Sequence, residues 1–294
     1  MSEVEGLSII GESINDSIPK VNALFDARDF VGIQETALFQ QQQLAWAIDI
    51  NVGRRPPAFM AEVVAAVQES VSIPVAIDTP DIETARAGLS AYDCQKAGGR
   101  LPVLNSIAPG RTDMFSLYGE NPFVAILLAS ERRGDGNDRG SAVKNATARE
   151  TYATAEDLLA LAARHGIPPH HCLIDVGIGP VAVDTDNATR RTFESIDLIG
   201  SSLLSGGAGL VLGLSNFTHM LPYKRPSDGF PVRSLLESAV ITMLLPRGLS
   251  TIIGSVRRKY MMLDDDHPAM RFLETILAGE GYDTVYTVQQ FISV

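Results

Sequence analysis

The sequence predicts an α/β fold, a single (β/α)₈ barrel over residues 1–294. Two observations predict it. Eight short apolar segments rich in β-branched residues alternate with segments whose apolar residues recur at helical spacing, which is typical of parallel strands joined by helices. Eight such units within 294 residues also match the size of a closed barrel better than that of an open doubly wound sheet.

Each element follows from its own local pattern. The predicted strands are Ser8–Glu12, Trp46–Val52, Pro74–Thr79, Leu101–Ser106, Phe123–Ala129, Cys172–Val176, Leu210–Ser215 and Ser250–Ser255. The linking helices are predicted at 31–44, 57–67, 82–92, 147–165, 191–204 and 232–243, and further C-terminal helices at about 267–292. Pro57 suits the first turn of its helix, where a missing N–H costs little. The polar segment 130–141 is predicted to be a loop.

The composition limits the function. A net charge of -11 disfavours nucleic-acid and anionic-lipid partners, which require basic surfaces. Cys94 and Cys172 form no C-x-x-C motif, so we expect a reduced, cytoplasmic protein without disulfides or a zinc knuckle. The acidic N-terminus lacks the basic region of a signal peptide, and no apolar segment is long enough to span a membrane.

Polar side chains recur at the C-terminal ends of the predicted strands, where barrel enzymes hold their active sites. They are Glu12, Asn15, Asp49, Asn51, Asp78, Asn105, Asp175 and Asn216. Carboxylates accept hydrogen bonds from paired N–H groups, and amides both donate and accept them. This set suits a flat heterocycle such as an aminopyrimidinone, whereas zinc favours histidine and cysteine. Any single strand-end aspartate is more often a helix cap or turn residue, but eight such residues over six strands favour a binding site.

Six motifs in these strands carry a resemblance to a known family. They are GESIN (Gly11–Asn15), AIDINVG (Ala47–Gly53), AIDT (Ala76–Thr79), LNS (Leu104–Ser106), LIDVG (Leu173–Gly177) and GLSN (Gly213–Asn216). In this order they resemble the methyltetrahydrofolate:corrinoid-protein methyltransferases, pterin-binding barrels related to dihydropteroate synthase and to the folate module of cobalamin-dependent methionine synthase. The resemblance covers roughly residues 8–256.

The resemblance implies a role for each motif. The residues implied to hydrogen-bond the pterin ring are Asp78, Asn105 and Asp175, with Asp49 and Asn51 supporting them. Asn216 matches the asparagine near N5 of the folate, so Asn216 and Asp78 are the predicted catalytic residues. Glu12 and Asn15 belong to the first-strand motif, and Gly213 and Ser215 to the motif that contains Asn216. His219 lies three residues past Asn216 and could reach the folate or an incoming corrinoid.

The implied reaction moves a methyl group, in either direction, between N5 of tetrahydrofolate and a corrinoid cobalt. The folate is then a substrate, a partner corrinoid protein supplies the cobalt, this chain binds no metal itself, and a homodimer is expected. Arg132 and Arg133 could meet the folate carboxylates, although a solvated loop is the more common outcome for such residues.

Three other functions remain open from the sequence. Dihydropteroate synthases carry a Ser-x-Arg-His element on the last strand for a phosphate-bearing substrate, and 250–258 lacks it. A folate-binding protein without catalysis would share most of these residues. A metal-dependent barrel aldolase is disfavoured because no lysine or histidine ends a strand.

Overall fold

The computed structural model describes residues 4–134 and 141–293. The strands are β1 Ser8–Asn15, β2 Ala47–Asn51, β3 Val75–Asp78, β4 Val103–Ile107, β5 Val124–Leu128, β6 Glu131–Arg133, β7 Ala142–Lys144, β8 Cys172–Asp175, β9 Gly209–Gly213 and β10 Leu249–Gly254. Eight of them close a parallel barrel in the order β1-β10-β9-β8-β5-β4-β3-β2. The predicted (β/α)₈ barrel is therefore confirmed.

Helices surround the barrel. They are α1 Pro19–Asp26, α2 Phe30–Gln42, α3 Pro57–Gln68, α4 Ile82–Ala91, α5 Ala148–Arg164, α6 Ala188–Ser202, α7 Val232–Leu244, α8 Pro268–Ala278 and α9 Tyr282–Ser293. A capping box starts α5, because Thr147 accepts a hydrogen bond from the Glu150 N–H while the Glu150 side chain accepts from the Thr147 N–H. Helices α8 and α9 follow one another at the C-terminal end of the described residues.

The first strand and its connection differ from the prediction. Strand β1 runs three residues past Glu12, through a register irregularity between Gly11 and Ile14, until Asn15 pairs with Asn51. The prediction was too short because the polar residues of this stretch obscure the alternation of a strand. Helix α1 was not predicted; it buries Val21 and Phe25, which are four residues apart and lie on one helical face.

The predicted loop 130–141 is partly a hairpin. Strands β6 and β7 pair antiparallel, with Glu131 opposite Lys144 and Arg133 opposite Ala142. Residues 135–140 of this predicted loop lie outside the described residues. The hairpin follows β5, so it stands at the C-terminal end of the barrel.

The segment after β10 takes an irregular course before α8. Residues 255–267 run along α7, where the Met261 N–H donates to Ser238 Oγ at 3.2 Å and the Leu263 N–H to Thr242 Oγ1 at 3.0 Å. Helix α9 then reaches the loop after β8, because the Gly281 N–H donates to Asn187 Oδ1 at 2.9 Å. The C-terminal helices thus brace the end of the barrel that carries the candidate site.

One layer of apolar side chains fills the inside of the barrel. Its members come from seven different strands: Ile10, Ala47, Ala76, Val103, Ile126, Val211 and Ile253. A second, larger cluster lies between the barrel and the helices. Within the described residues, no helix is long and apolar enough to cross a membrane.

Candidate active site at the mouth of the barrel

The predicted site residues lie directly above the inner apolar layer. Side chains of a strand alternate between its two faces, so a residue two positions after an inward-facing one also faces inward. Counting two positions from the layer and from Leu173, which packs against it, leads to Glu12, Asp49, Asp78, Asn105, Asp175 and Gly213. The strand period therefore brings five of the predicted polar side chains to the mouth of the barrel.

Amides hold the carboxylates of β2 and β3 in fixed orientations. Asn51 Nδ2 donates to Asp78 Oδ2 at 2.8 Å, and Asn105 Nδ2 donates to Asp49 Oδ1 at 3.1 Å. Asn51 Oδ1 in turn accepts from the Gly53 N–H at 2.9 Å, which fixes the amide plane. Each carboxylate keeps a further oxygen that can accept a hydrogen bond from a ligand.

Burial disfavours the charged forms of these acids. It raises the pKa of Asp49 well above its ordinary value, and the neighbouring charge of Asp78 raises that pKa further. Burial also raises the pKa of Asp78, which the hydrogen bond from Asn51 and the charge of Arg111 oppose. A ligand with paired N–H donors would favour the ionised carboxylates and offset their loss of hydration.

Asp175 closes the opposite side of this group on β8. Its Oδ1 accepts from the Gly177 N–H at 2.8 Å, and the residue is buried. Burial raises the pKa of Asp175 to about 6, an effect that the hydrogen bond from Gly177 only partly opposes. The Asp175 side chain is thus held in a fixed orientation, and its ionised form is unfavourable in the ligand-free protein.

We expect Asp175→Asn to stabilise the ligand-free protein at pH 7. The folded pKa of about 6 lies above the unfolded value of about 4. Between these values the unfolded chain is ionised at this position and the folded chain is not, so the stability conferred by protonation is lost as the pH rises through about 6. The variant should raise the free energy of unfolding at pH 7 by on the order of 2 kcal/mol.

Thermal unfolding followed by circular dichroism at pH 4 and pH 7 measures this difference. The gap between Asp175→Asn and wild type should be larger at pH 7 than at pH 4. Asp157→Asn, at an exposed position of α5, is the matched control and should leave the pH dependence unchanged. Parallel curves for Asp175→Asn and wild type would contradict the expectation.

Asn216 lies on the other side of the mouth, in a short 3-10 helix that follows β9. The residue is exposed, unlike Asp49 and Asp175. A Cβ atom built on Gly213 would lie 2.9 Å from Asn216 Nδ2. Glycine at 213 therefore leaves the room that the Asn216 amide occupies.

Gly213→Ala is expected to displace the Asn216 amide with little loss of stability. The φ angle of Gly213 is -72°, so alanine fits the backbone, and only the contact with Asn216 is too close. Activity that depends on Asn216 should fall about fivefold, since about 1 kcal/mol of misdirected hydrogen bonding changes a rate by about that factor. Steady-state kinetics and thermal unfolding of the same preparation test this, and Gly119→Ala, at an exposed position before β5 with open space at its Cβ, is the control. Unchanged activity in Gly213→Ala would contradict it.

Glu12 and Ser215 connect the first and seventh barrel units. Ser215 Oγ donates to Glu12 Oε2 at 2.7 Å. Burial raises the pKa of Glu12, while the hydrogen bond from Ser215 and the charges of Arg258 and His219 oppose that rise. His219 is exposed and lies close enough to Glu12 to lower the pKa of that acid. Asn15 Oδ1 instead accepts hydrogen bonds from the Ser17 N–H and hydroxyl, and so stabilises the turn after β1.

A buried acid that contacts the loop after β9 was missed by the sequence analysis. Glu237 of α7 is fully buried and accepts hydrogen bonds from Thr218 Oγ1, Arg258 and Tyr260. These contacts tie the loop after β9 to the segment after β10. The available signal was a glutamate within the apolar stripe of a helix, since buried charges require partners.

A cavity of about 230 Å³ opens between the ends of β5, β8 and β9 and the β6–β7 hairpin. Asp175 and Asn216 both line it, together with Gly213 and the glycine-rich turn 177–179. The cavity therefore brings one buried hydrogen-bond acceptor, Asp175, and the exposed Asn216 amide into a single space.

Comparisons with known proteins follow this geometry. A methylcorrinoid:tetrahydrofolate methyltransferase from Eubacterium limosum is 23% identical over 262 residues, which cover 86% of this chain and 87% of that protein. Two dihydropteroate synthase structures share the fold. The one from Xanthomonas albilineans in complex with 7,8-dihydropteroate has a TM-score of 0.54 at 15% identity and covers 99% of this chain and 94% of its own. The one from Thermus thermophilus has a TM-score of 0.57 at 16% identity, with 95% and 94% covered.

A family model also matches the chain. Residues 58–254, more than half of the chain, match the pterin binding enzymes. This confirms the relationship that the strand-end motifs predicted. The chain belongs to the pterin-binding enzyme family.

Proposed function

We propose that this protein transfers a methyl group between N5 of tetrahydrofolate and the cobalt of a corrinoid protein. One observation carries the proposal. A single cavity is lined both by Asp175, a buried acceptor, and by Asn216, an exposed amide donor. The methyltransferase from Eubacterium limosum supports the same reaction class by its similarity to this chain.

The acids and amides of the mouth would bind the pterin ring. Its aminopyrimidinone edge has adjacent N–H donors and a carbonyl acceptor, which match Asp78, Asp175 and the Asn105 amide in hydrogen-bonding type. The amide–carboxylate contacts Asn51–Asp78 and Asn105–Asp49 hold these groups in place before a ligand arrives. Such preorganisation lowers the entropic cost of binding.

Asn216 would act on the reacting nitrogen. In the forward direction the methyl–N5 bond breaks and a methyl–cobalt bond forms, with the electron pair for the new bond supplied by Co(I). N5 keeps the electron pair of the broken bond and needs a proton to become a neutral leaving group. An amide donor at N5 strengthens its hydrogen bond as this nitrogen changes charge in the transition state, and so lowers the barrier. An asparagine is not an acid, so the proton comes from water or from a carboxyl group.

The same site serves the reverse direction. The N5 lone pair then attacks the methyl group on cobalt, the cobalt retains the electron pair of the broken bond, and N5 loses its proton. Since one transition state joins both directions, the groups that stabilise it accelerate both. The corrinoid cobalt belongs to the partner and is a substrate of this chain.

The last strand favours methyl transfer over a dihydropteroate synthase reaction. That synthase uses a Ser-x-Arg-His element for a phosphate-bearing substrate. Here Arg258 pairs with the buried Glu237, and the Arg257 guanidinium lies over the Phe39 ring at 4.3 Å from its centroid. Both arginines are thus engaged away from a phosphate.

An anaerobic assay tests the proposal. Mixing the protein with 5-methyltetrahydrofolate and cob(I)alamin should convert the cobalt spectrum to that of methylcobalamin, and methylcobalamin with tetrahydrofolate should give the reverse change. If folate binds by titration calorimetry but neither conversion exceeds the rate without protein, a folate-binding protein is the correct assignment. Formation of 7,8-dihydropteroate from a phosphate-bearing pterin and p-aminobenzoate would instead identify a synthase.

A further inference from the structure

We propose that the cavity beside Asp175 binds the carboxylate-bearing tail of the folate, with Lys144 and Arg191 as its cationic contacts. This inference rests on the proposed function, because it presumes that a folate is the substrate. It assigns the outer part of this same cavity, the part lined by Lys144 and Arg191, to the glutamate end of that substrate, while Asp175 at its inner end faces the ring.

The cavity extends outward from the strand ends. Asp175, Gly213 and Asn216 line it from β8, β9 and the turn after β9. Lys144 lines it from the hairpin strand β7, and Arg191 lines it from α6, which packs outside the barrel. A ligand that fills this space would therefore touch both the barrel mouth and two basic side chains.

The covalent structure of folate is consistent with a tail that runs from Asn216 into the cavity. Its p-aminobenzoylglutamate tail is attached through C6, the ring carbon bonded to N5. If Asn216 faces N5, the tail must leave the ring close to Asn216. The cavity that begins at Asn216 and Gly213 is then an available path for the tail, and its basic residues match the two carboxylates of the glutamate.

Ion pairs within the protein offset little of the positive charge of Lys144 and Arg191. The nearest ion-pair contact of Arg191 is with Asp186 Oδ2 at 3.5 Å, and the Arg191 side chain is 15% exposed. Within residues 4–134 and 141–293, Lys144 has no salt bridge within 4.0 Å, although Glu131 stands opposite it in the hairpin. In a chain of net charge -11, two such cations beside one cavity favour an anionic ligand.

The arginines named from the sequence are less suited to this role. Arg132 lies 3.9 Å from Glu150, measured from Nε to Oε1, so its charge already faces an acid. Neither Arg132 nor Arg133 lines the cavity, whereas Lys144 on the second strand of the same hairpin does. The side of the hairpin could be assigned only after the antiparallel register was known.

Binding measurements with two probes test the inference. The first probe is 5-methyltetrahydrofolate, which has the tail, and the second is 6-methyltetrahydropterin, which lacks it. Titration calorimetry should give a dissociation constant for the first probe about tenfold higher in Lys144→Gln and in Arg191→Gln, as expected for loss of one charge-assisted hydrogen bond. The dissociation constant for the second probe should stay within twofold of wild type.

Two controls make the result specific. Arg132→Gln changes a charge on the same hairpin outside the cavity and should bind both probes as wild type does. Lys144→Arg keeps the charge and should retain most of the affinity for the tailed probe. Equal weakening of both probes in Lys144→Gln and Arg191→Gln, or unchanged binding of the tailed probe, would overturn the inference.

The outcome is separable from that of the proposed function. Absence of methyl transfer together with charge-dependent binding of the tailed probe would reject the reaction and keep the subsite. Normal methyl transfer together with an unchanged dissociation constant for the tailed probe in both variants would reject the subsite and keep the reaction. A wild-type protein that binds neither probe would reject both.

Discussion

Asn216→Ala is expected to slow methyl transfer 10²- to 10³-fold while the dissociation constant for 5-methyltetrahydrofolate changes less than threefold. The amide is exposed at the mouth and donates most strongly when N5 changes charge, so its loss raises the barrier more than it weakens the ground state. Single-turnover kinetics with cob(I)alamin measure the transfer step, and calorimetry measures binding.

Asn121→Ala is the matched control, because this asparagine precedes β5 at the opposite end of the barrel. It should transfer methyl groups at the wild-type rate. If Asn216→Ala also keeps the wild-type rate, Asn216 has no catalytic role. If its affinity for folate falls as much as its rate, Asn216 is a binding residue rather than a catalytic one.

Asp78→Ala is expected to weaken pterin binding about 100-fold. The substitution removes a carboxylate that would accept hydrogen bonds from the ring, and it leaves Asn51 Nδ2 without its present acceptor. Loss of charge-assisted hydrogen bonds with exposure of an unpaired partner costs about 2–3 kcal/mol, which corresponds to that factor. Calorimetry with 6-methyltetrahydropterin measures it without any contribution from the folate tail.

Asp78→Asn separates charge from geometry at this position. It can keep the contact with Asn51 but cannot accept two hydrogen bonds as an anion, so its affinity should lie between those of wild type and Asp78→Ala. Asp157→Ala, on the exposed face of α5, controls for the change in net charge. A wild-type dissociation constant in Asp78→Ala would exclude this residue from the pterin pocket.

The fold was predictable because each barrel strand carries its own apolar pattern. Elements whose stability depends on distant contacts were not. The end of β1 is set by the pairing of Asn15 with Asn51, and the β6–β7 hairpin by the register of Glu131 with Lys144. Neither pairing can be recognised from the local sequence.

The residues of the candidate site were predictable to a similar extent. Residue types at strand ends identified Asp49, Asp78, Asn105 and Asp175, and the inner apolar layer explains why they face inward. Which amide meets which carboxylate depends on the stagger between neighbouring strands, and closure of the barrel fixes that stagger. The binding role of these residues stays a prediction for the experiments above.

The barrel order divides the mouth into two sectors. Asp49, Asp78 and Asn105 stand on the consecutive strands β2, β3 and β4, whereas Asn216, Ser215 and Glu12 belong to the sector of β9, β10 and β1. Hydrogen bonds join residues within each sector, such as Asn105 to Asp49 and Ser215 to Glu12. On the proposed roles, changes in the loops after β9, β10 and β1 would alter the chemistry performed on a pterin, while the residues of β2, β3 and β4 would keep their part in its recognition. This separation offers a physical route by which one pterin barrel gives rise to enzymes with different reactions.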